Sequence, residues 1–210
     1  NDVNRRPATQ RRFSQDESYP EVPRLALYLI TPPEKPFLDQ LSPVLRAGVD
    51  RLQYRRPSLS DREAYDELRT VRERTREHNV TLIVNDRPDL ALSVEAEGVH
   101  LGDEDLPVDP VKKQWPSLEV GRTQRVEDPI HASADVLGVG PVFSTFSKTV
   151  LAETAGWEGV SDVLDRTDKP VYAIGGITPE RCEQVPAGLT GVAVLSAVWE
   201  NEDPVRVVRG

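Results

Sequence analysis

Short apolar runs alternate with longer amphipathic stretches along the chain from Leu25 onward. Runs rich in valine, isoleucine and leucine, bounded by polar residues and glycines, are typical of buried parallel strands. The pattern predicts eight strands, at Leu25–Thr31, Val49–Tyr54, Val80–Val84, Gly98–Leu101, Leu118–Gly121, Val136–Gly140, Val171–Ile174 and Gly191–Leu195.

The stretches between these runs have apolar residues at helical spacing. In the clearest, Asp61–His78, Leu68 and Val71 share a face, and Ser60 with Glu63 forms a capping-box pattern at the start. The fifth, Glu127–Ala132, is short and contains a proline, so we expect a degenerate helix or a loop there. The other predicted helices are Phe37–Ala47, Pro88–Glu95, Asp109–Gln114, Trp157–Asp165, Pro179–Val185 and a C-terminal stretch from Ala197.

Strands and helices that alternate in this way predict an α/β fold with a parallel sheet. Eight repeats close most naturally into a single (β/α)8 TIM barrel, here with a shortened fifth helix, and an open doubly wound sheet is the alternative. The barrel domain would span residues 23–210. Residues 1–22 mix prolines, polar groups and charges of both signs without periodicity, which predicts a flexible N-terminal extension.

Composition restricts the class of partner. A chain of 210 residues fits one domain, and a net charge of -9 with a pI near 5.0 argues against a nucleic-acid surface. No apolar run approaches the roughly 18 residues of a membrane span. The single cysteine, Cys182, cannot form an internal disulfide, so we expect a cytoplasmic protein. The sequence leaves the oligomeric state open, a homo-oligomer included.

Carboxylates follow two neighbouring predicted strands. Asp86 comes directly after the third strand, and Asp105 lies in the loop after the fourth. The loops at the carboxyl ends of barrel strands carry the functional groups, and two carboxylates there suit an octahedral Mg²⁺ that keeps water or phosphate oxygens as ligands. In the alternative interpretation, Asp86 caps the third helix and Asp105 is a solvated turn residue.

Other loops at the same ends of the strands have residue types that suit anions. Gly175-Gly176 after the seventh strand and Ser196-Ala197 after the eighth would bring backbone N–H groups to a phosphate. The loop Ser144–Lys148 supplies hydroxyls and one cation, although an ordinary exposed loop has a similar composition.

Only one of the adjacent Arg55 and Arg56 is expected to reach the site, because neighbours on a strand point to opposite faces. Arg55 is the predicted one, since it shares a face with Gln53. His100 lies within a strand and is predicted to be a hydrogen-bonded barrel residue rather than a base.

Taken in order, these motifs resemble the thiamin phosphate synthase family, which includes thiazole tautomerase relatives. The resemblance runs from Leu25 to about Pro204. It rests on Leu27–Thr31, Gln53–Arg55, Val84–Ala91, Gly98–Gly102, Glu104-Asp105, Gly138–Phe143, Lys148, Ala173–Ile177 and Val194–Ala197. It implies a barrel transferase of thiamin biosynthesis that joins two small phosphorylated substrates, hydroxymethylpyrimidine pyrophosphate and hydroxyethylthiazole phosphate, with release of pyrophosphate.

The resemblance also implies roles for single residues. Asp86 and Asp105 would hold Mg²⁺, and Gln53 would contact the pyrimidine. The pyrophosphate would be held by Arg55, Asn85 and Lys148. Thr123, Thr145 and Ser147 would line the site, and the catalytic set would be Arg55, Lys148 and Thr123. The thiazole phosphate would be held by the backbone at Gly175, Gly176, Ser196 and Ala197.

The chain departs from the synthase pattern at several positions. Pro57 stands where synthases usually carry a lysine, Thr123 where serine is usual, and Ser147 where threonine is usual. Loss of one phosphate-binding cation could lower the rate about 100-fold. The alternatives are a tautomerase-like enzyme, which the lack of a histidine in Gly121–Arg125 disfavours, and a non-catalytic phosphate-binding barrel.

Overall fold

The computed structural model describes residues 24–144 and 153–209. Within them, eight parallel strands form a closed barrel in the order of the sequence, which confirms the (β/α)8 barrel and excludes the open sheet. The strands are β1 (Ala26–Ile30), β2 (Arg51–Tyr54), β3 (Thr81–Asn85), β4 (Gly98–Leu101), β5 (Glu119–Gln124), β6 (Val136–Val139), β7 (Val171–Ile174) and β8 (Gly191–Val194). The predicted extension, residues 1–22, lies outside the described residues.

Helices connect most of these strands on the outside of the barrel. They are α1 (Leu38–Arg46), α2 (Asp61–Glu77), α3 (Pro88–Ser93), α4 (Val108–Gln114), α5 (Gly156–Leu164), α6 (Ser196–Trp199) and α7 (Pro204–Arg209). The seventh connection is a 3-10 helix, Pro179–Gln184, where the sequence predicts an α-helix. α2 begins with the predicted capping box between Ser60 and Glu63. Among the described helices, none has the length and apolar character needed to cross a membrane.

The fifth connection, residues 125–135, contains no helix, so of the two predicted alternatives the loop is observed and not a shortened helix. The buried side chain of Gln124 organises this loop instead. Its Nε2 donates to the carbonyl oxygens of Arg125 and Asp128 at 2.8 and 3.2 Å, and its Oε1 accepts the N–H of His131 at 3.3 Å. One amide side chain therefore pairs with backbone groups that a helix would otherwise pair with each other.

Strand side chains alternate between two separate apolar regions. Outward residues such as Leu29, Leu52 and Val99 are fully buried in the layer between strands and helices. The inward apolar residues form a smaller cluster of Tyr28, Ile30, Ile83, Val136, Tyr172 and Ala193. The alternation of each strand therefore decides which of its polar residues enter the barrel.

A charged pair between aromatic rings fills the interior at the amino-terminal end of the strands. Arg51 forms an ion pair with Glu119, and its guanidinium lies 5.3 Å from the ring centroid of Tyr28 and 5.5 Å from that of Tyr172. The two tyrosine rings meet edge to face at 5.2 Å. Ion pairing and cation–π contact together offset the cost of removing the arginine from water.

Four polar side chains link the strands at the same end of the barrel. Each immediately precedes an even-numbered strand and accepts a backbone N–H from the odd-numbered strand before it. The pairs are Asp50 with Leu27 at 2.7 Å, Glu97 with Leu82 at 2.8 Å, Asp135 with Val120 at 2.8 Å and Thr190 with Val171 at 3.0 Å. The three carboxylates also form ion pairs, with Arg24, Arg72 and Lys112 respectively.

Replacing Asp135 measures how much one of these links stabilises the barrel. Asp135→Ala removes this acceptor from the N–H of fully buried Val120 and from Lys112, and we expect the free energy of unfolding to fall by about 2 kcal/mol. Asp135→Asn keeps an acceptor oxygen without the charge and should lose roughly half as much. Urea denaturation gives both values, with exposed Asp66→Ala as a control that changes stability by less than about 0.5 kcal/mol. Wild-type stability of Asp135→Ala would contradict the prediction.

Candidate active site

The carboxyl ends of β3 and β4 bring two acidic side chains together. Asp86 follows β3 and Asp105 lies in the loop after β4, and their half-buried carboxylates are within hydrogen-bonding reach of each other. Asp86 has a left-handed backbone with φ of +64°, and its N–H donates to the carbonyl of His100 at 2.8 Å. The Asp105 carboxylate accepts the N–H of Gly102 at 2.6 Å. The two predicted metal ligands therefore face each other.

The alternative role of Asp86 as a helix cap does not fit this geometry. Arg87 occupies the N-cap position of α3, and no side chain makes a cap hydrogen bond there. Asp105 does close a turn to Gly102, as the alternative interpretation has it, but its carboxylate also faces Asp86.

Burial and the Asp105 carboxylate raise the pKa of Asp86 to about 7, while the Arg55 guanidinium and the Asn85 amide act in the opposite direction. Two carboxylates within hydrogen-bonding reach repel each other when both are ionised. A divalent cation bound between them would attract both and offset this repulsion. Within the described residues, no group of three or more His, Cys, Asp or Glu side chains is arranged to hold a metal. Two carboxylates with the remaining positions left to water and substrate oxygens fit Mg²⁺.

The two adjacent arginines diverge as the alternation of β2 predicts. Arg55 is close enough to Asp86 to act on its pKa. Arg56 turns away, since its Nε lies 3.1 Å from the Glu67 carboxylate and its Nη1 donates to two backbone carbonyls of the loop after β1 at 3.0 and 2.8 Å. Arg56 is thus committed elsewhere and does not replace the cation that is missing at Pro57.

Gln53 is an inward residue of β2 with only 4% of its surface exposed. Its Nε2 donates to the hydroxyl of Tyr28 at 3.2 Å, which orients the amide. Tyr28 is not among the site residues predicted from the sequence. Its inward position could have been found from the sequence, because Tyr28 and Ile30 occupy alternate positions of β1 and must share a face.

Thr123 meets His100 inside the barrel, with the imidazole Nε2 3.2 Å from the threonine Oγ1. Two glycines make room for the ring. A Cβ at Gly121 would lie 2.9 Å from the imidazole Nδ1, and one at Gly138 would lie 3.2 Å from its Cε1. His100 therefore has the hydrogen-bonded position that the sequence predicts, and Thr123 lies on the wall of the interior.

The loops after β6 and β7 pack closely against each other at the mouth. Gly175 and Gly176 have positive φ values of +103° and +63°, and a Cβ at Gly176 would lie 2.8 Å from the carbonyl oxygen of Ser144. Only glycine fits this combination of backbone conformation and contact. No acceptor within residues 24–144 and 153–209 receives the N–H of Gly176 or of Ile177.

The predicted site residues divide into three groups. Those at the ends of β2 to β5 are Gln53, Arg55, Asn85, Asp86, Asp105 and Thr123, and Asn85 also lies close enough to Asp86 to donate to it. Those at the ends of β7 and β8 are Gly175, Gly176, Ser196 and Ala197, of which the last two begin α6. Thr145, Ser147 and Lys148 lie outside the described residues, so their roles stay predictions.

The closed barrel, with acidic, cationic and amide groups converging at the carboxyl ends of its strands, defines a (β/α)8-barrel enzyme with a polar mouth at that end. A family model described as thiamine monophosphate synthase matches residues 27–198. The chain belongs to the thiamine monophosphate synthase family.

Curated and solved proteins agree with this membership. A thiamine-phosphate synthase from Natronomonas pharaonis is 39% identical over 198 residues, covering 87% of this chain and 91% of the relative. One from Pyrococcus furiosus is 38% identical over 186 residues, covering 86% and 89%. The solved structure of a thiamine phosphate pyrophosphorylase from Pyrococcus furiosus has a TM-score of 0.81 at 36% identity and covers 88% of this chain and 92% of that chain.

Asp86→Asn should stabilise the metal-free protein more at alkaline than at acidic pH. The folded state holds the Asp86 pKa near 7 and unfolding returns it to about 4, so the wild type loses stability as pH rises between these values and does not regain it above them. Asparagine does not titrate and tolerates a left-handed backbone. In thermal melts with chelator, the variant should gain roughly 1 kcal/mol more at about pH 8 than at about pH 5, a figure lowered for solvent screening of a half-buried group. A gain independent of pH would contradict the raised pKa.

Proposed function

We propose that the protein is a thiamin phosphate synthase, a transferase that joins hydroxymethylpyrimidine pyrophosphate to hydroxyethylthiazole phosphate and releases pyrophosphate. The observation that carries the proposal is the convergence of Asp86, Asp105 and Arg55 at one mouth, in a chain of this family. The departing group is a polyanion, and negative charge grows on its oxygen as the C–O bond breaks. Positive charge fixed at that position lowers the barrier.

Asp86 and Asp105 are the residues that would hold Mg²⁺. When bound, the metal would neutralise charge on the pyrophosphate. Arg55 adds a second positive charge from the neighbouring strand, and Asn85 offers an amide donor beside it. Tyr28 accepts from the Nε2 of Gln53 and so orients this amide, which would contact the pyrimidine.

The proposed reaction needs no nucleophile or base from the protein. The C–O bond to pyrophosphate breaks with its electron pair on the leaving group, which leaves a methylene cation stabilised by the pyrimidine ring. The thiazole nitrogen then donates its lone pair to form the new C–N bond. A site of this kind needs groups that stabilise charge and position the substrates. It does not need a histidine base, and the His100 imidazole in the barrel interior contacts Thr123.

Arg55 and Arg56 offer a matched pair of variants for testing the activity. Wild-type protein with both precursors and Mg²⁺ should form thiamin phosphate, measured by fluorescence after oxidation to thiochrome. Arg55→Gln should lower kcat about 100-fold, because a positive charge beside the leaving group is lost. Arg56→Gln should lose stability, since Glu67 keeps its charge and the hydroxyl of Tyr54 but loses its ion pair, and it should keep kcat within about twofold. Similar loss of kcat in both variants would argue against the assigned roles.

Magnesium binding can be measured without turnover. Mg²⁺ should raise the melting temperature of the wild type, because a ligand that binds only the folded state stabilises it, and should raise that of Asp86→Asn much less. The same shift in both proteins would place the metal elsewhere.

Two further outcomes decide between the proposed function and its alternatives. A folded protein that turns over neither precursor would overturn the synthase proposal. Isomerisation of a thiazole carboxylate phosphate that persists with chelator would instead support a tautomerase-like enzyme. Cytoplasmic location and a homo-oligomer stay predictions from the sequence.

A further inference from the structure

A cluster around Arg181, outside the predicted site residues, supports the loop that carries Gly176. Arg181 lies in the 3-10 helix Pro179–Gln184, and its Nη1 donates to the carbonyl oxygen of Gly176. Its guanidinium lies 4.7 Å from the ring centroid of Phe143. Trp157 meets that ring edge-on at 5.6 Å, and its indole Nε1 donates to the carbonyl of Arg181 at 3.2 Å. Arg181 is therefore held at both its backbone and its guanidinium.

The contact with Arg181 fixes the orientation of the peptide between Gly176 and Ile177. In a trans peptide the N–H points away from the carbonyl, so the Ile177 N–H is directed opposite to the side on which Arg181 binds. Ile177 is 4% exposed, and its N–H has no acceptor within the described part of the chain. An anionic ligand on that side of the peptide would accept this N–H. A guanidinium on the carbonyl also polarises the peptide and strengthens its N–H as a donor.

The same arginine joins the loops after β6 and β7. Their backbones are already paired, since the N–H groups of Val142 and Phe143 donate to the carbonyls of Ile174 and Gly175 at 2.9 and 3.0 Å. Arg181 spans the two loops a second time by contacting Phe143 on one and Gly176 on the other. The backbone hydrogen bonds hold the carbonyls of Ile174 and Gly175, and Arg181 holds the next carbonyl, that of Gly176.

We propose that Arg181 is a positioning residue for binding of the substrate monophosphate, acting through the peptide of Gly176 and Ile177. The proposal rests on the proposed function, in which the thiazole phosphate binds at this backbone. Because Arg181 orients the donors without taking part in bond breaking at the other side of the mouth, its loss weakens ground-state binding of one substrate. The chemical step and the pyrimidine substrate are unaffected.

Steady-state kinetics with both substrates tests the proposal. Arg181→Ala should raise the KM for thiazole phosphate about tenfold, equivalent to about 1.4 kcal/mol, and leave kcat and the KM for the pyrimidine pyrophosphate within about twofold. Arg181→Lys keeps a cationic donor and should recover part of the loss. The control is Arg166→Ala, which also removes an arginine that donates to backbone carbonyls, those of Val126, Asp128 and Asp162, but does not contact Gly176.

The outcomes separate this proposal from a purely structural role and from failure of the proposed function. An unchanged KM for thiazole phosphate in Arg181→Ala would overturn it. So would equal increases in both KM values with a larger drop in melting temperature than Arg166→Ala shows, since that pattern reports general destabilisation. If the wild type forms no product, the synthase function fails, and calorimetric titration with thiazole phosphate decides the inference. Arg181→Ala should then bind about tenfold more weakly than wild type, and equal Kd values would overturn the role of Arg181.

Discussion

Backbone N–H groups at the amino-terminal ends of the odd-numbered strands are accepted by the polar side chains that precede β2, β4, β6 and β8. These hydrogen bonds fix the register of each odd strand against the even strand that follows it. A slip of one residue in β2 would turn Gln53 and Arg55 outward and bring Leu52 into the interior. The chemistry at the carboxyl ends of the strands therefore depends on links made at the opposite end of the barrel.

The strands could be predicted because the apolar pattern of each is contained in one short segment of sequence. The largest difference between the predicted and observed strands is at the end of β5, and it has a physical cause. β5 continues to Gln124, three residues beyond its predicted end at Gly121. The added residues are polar and resemble a loop, yet Thr123 contacts His100 and Arg122 pairs with Asp103 at 2.7 Å. Partners from another part of the chain make these polar positions compatible with a strand. The helix-free fifth connection depends in the same way on one buried amide.

Sequence reasoning found the candidate site residues that follow from strand direction alone. Asp86, Asp105 and Arg55 emerge at the same end because parallel strands share their direction, and the structure places them together. The left-handed backbone of Asp86 and its raised pKa could not be predicted, since both depend on distances across the mouth. The position of Arg181 could not be predicted for a similar reason, because no sequence pattern reveals its hydrogen bond to the carbonyl of Gly176.

The charged and aromatic plug affects how a small molecule can enter the barrel. It consists of Arg51, Glu119, Tyr28 and Tyr172. Its side chains fill the interior at the amino-terminal ends of the described strands, which leaves the carboxyl-terminal end as the side from which a small molecule can enter. Gln53 follows Arg51 on the inward face of β2, so it is the next polar side chain above the plug and marks the depth of the interior that a small ligand could reach.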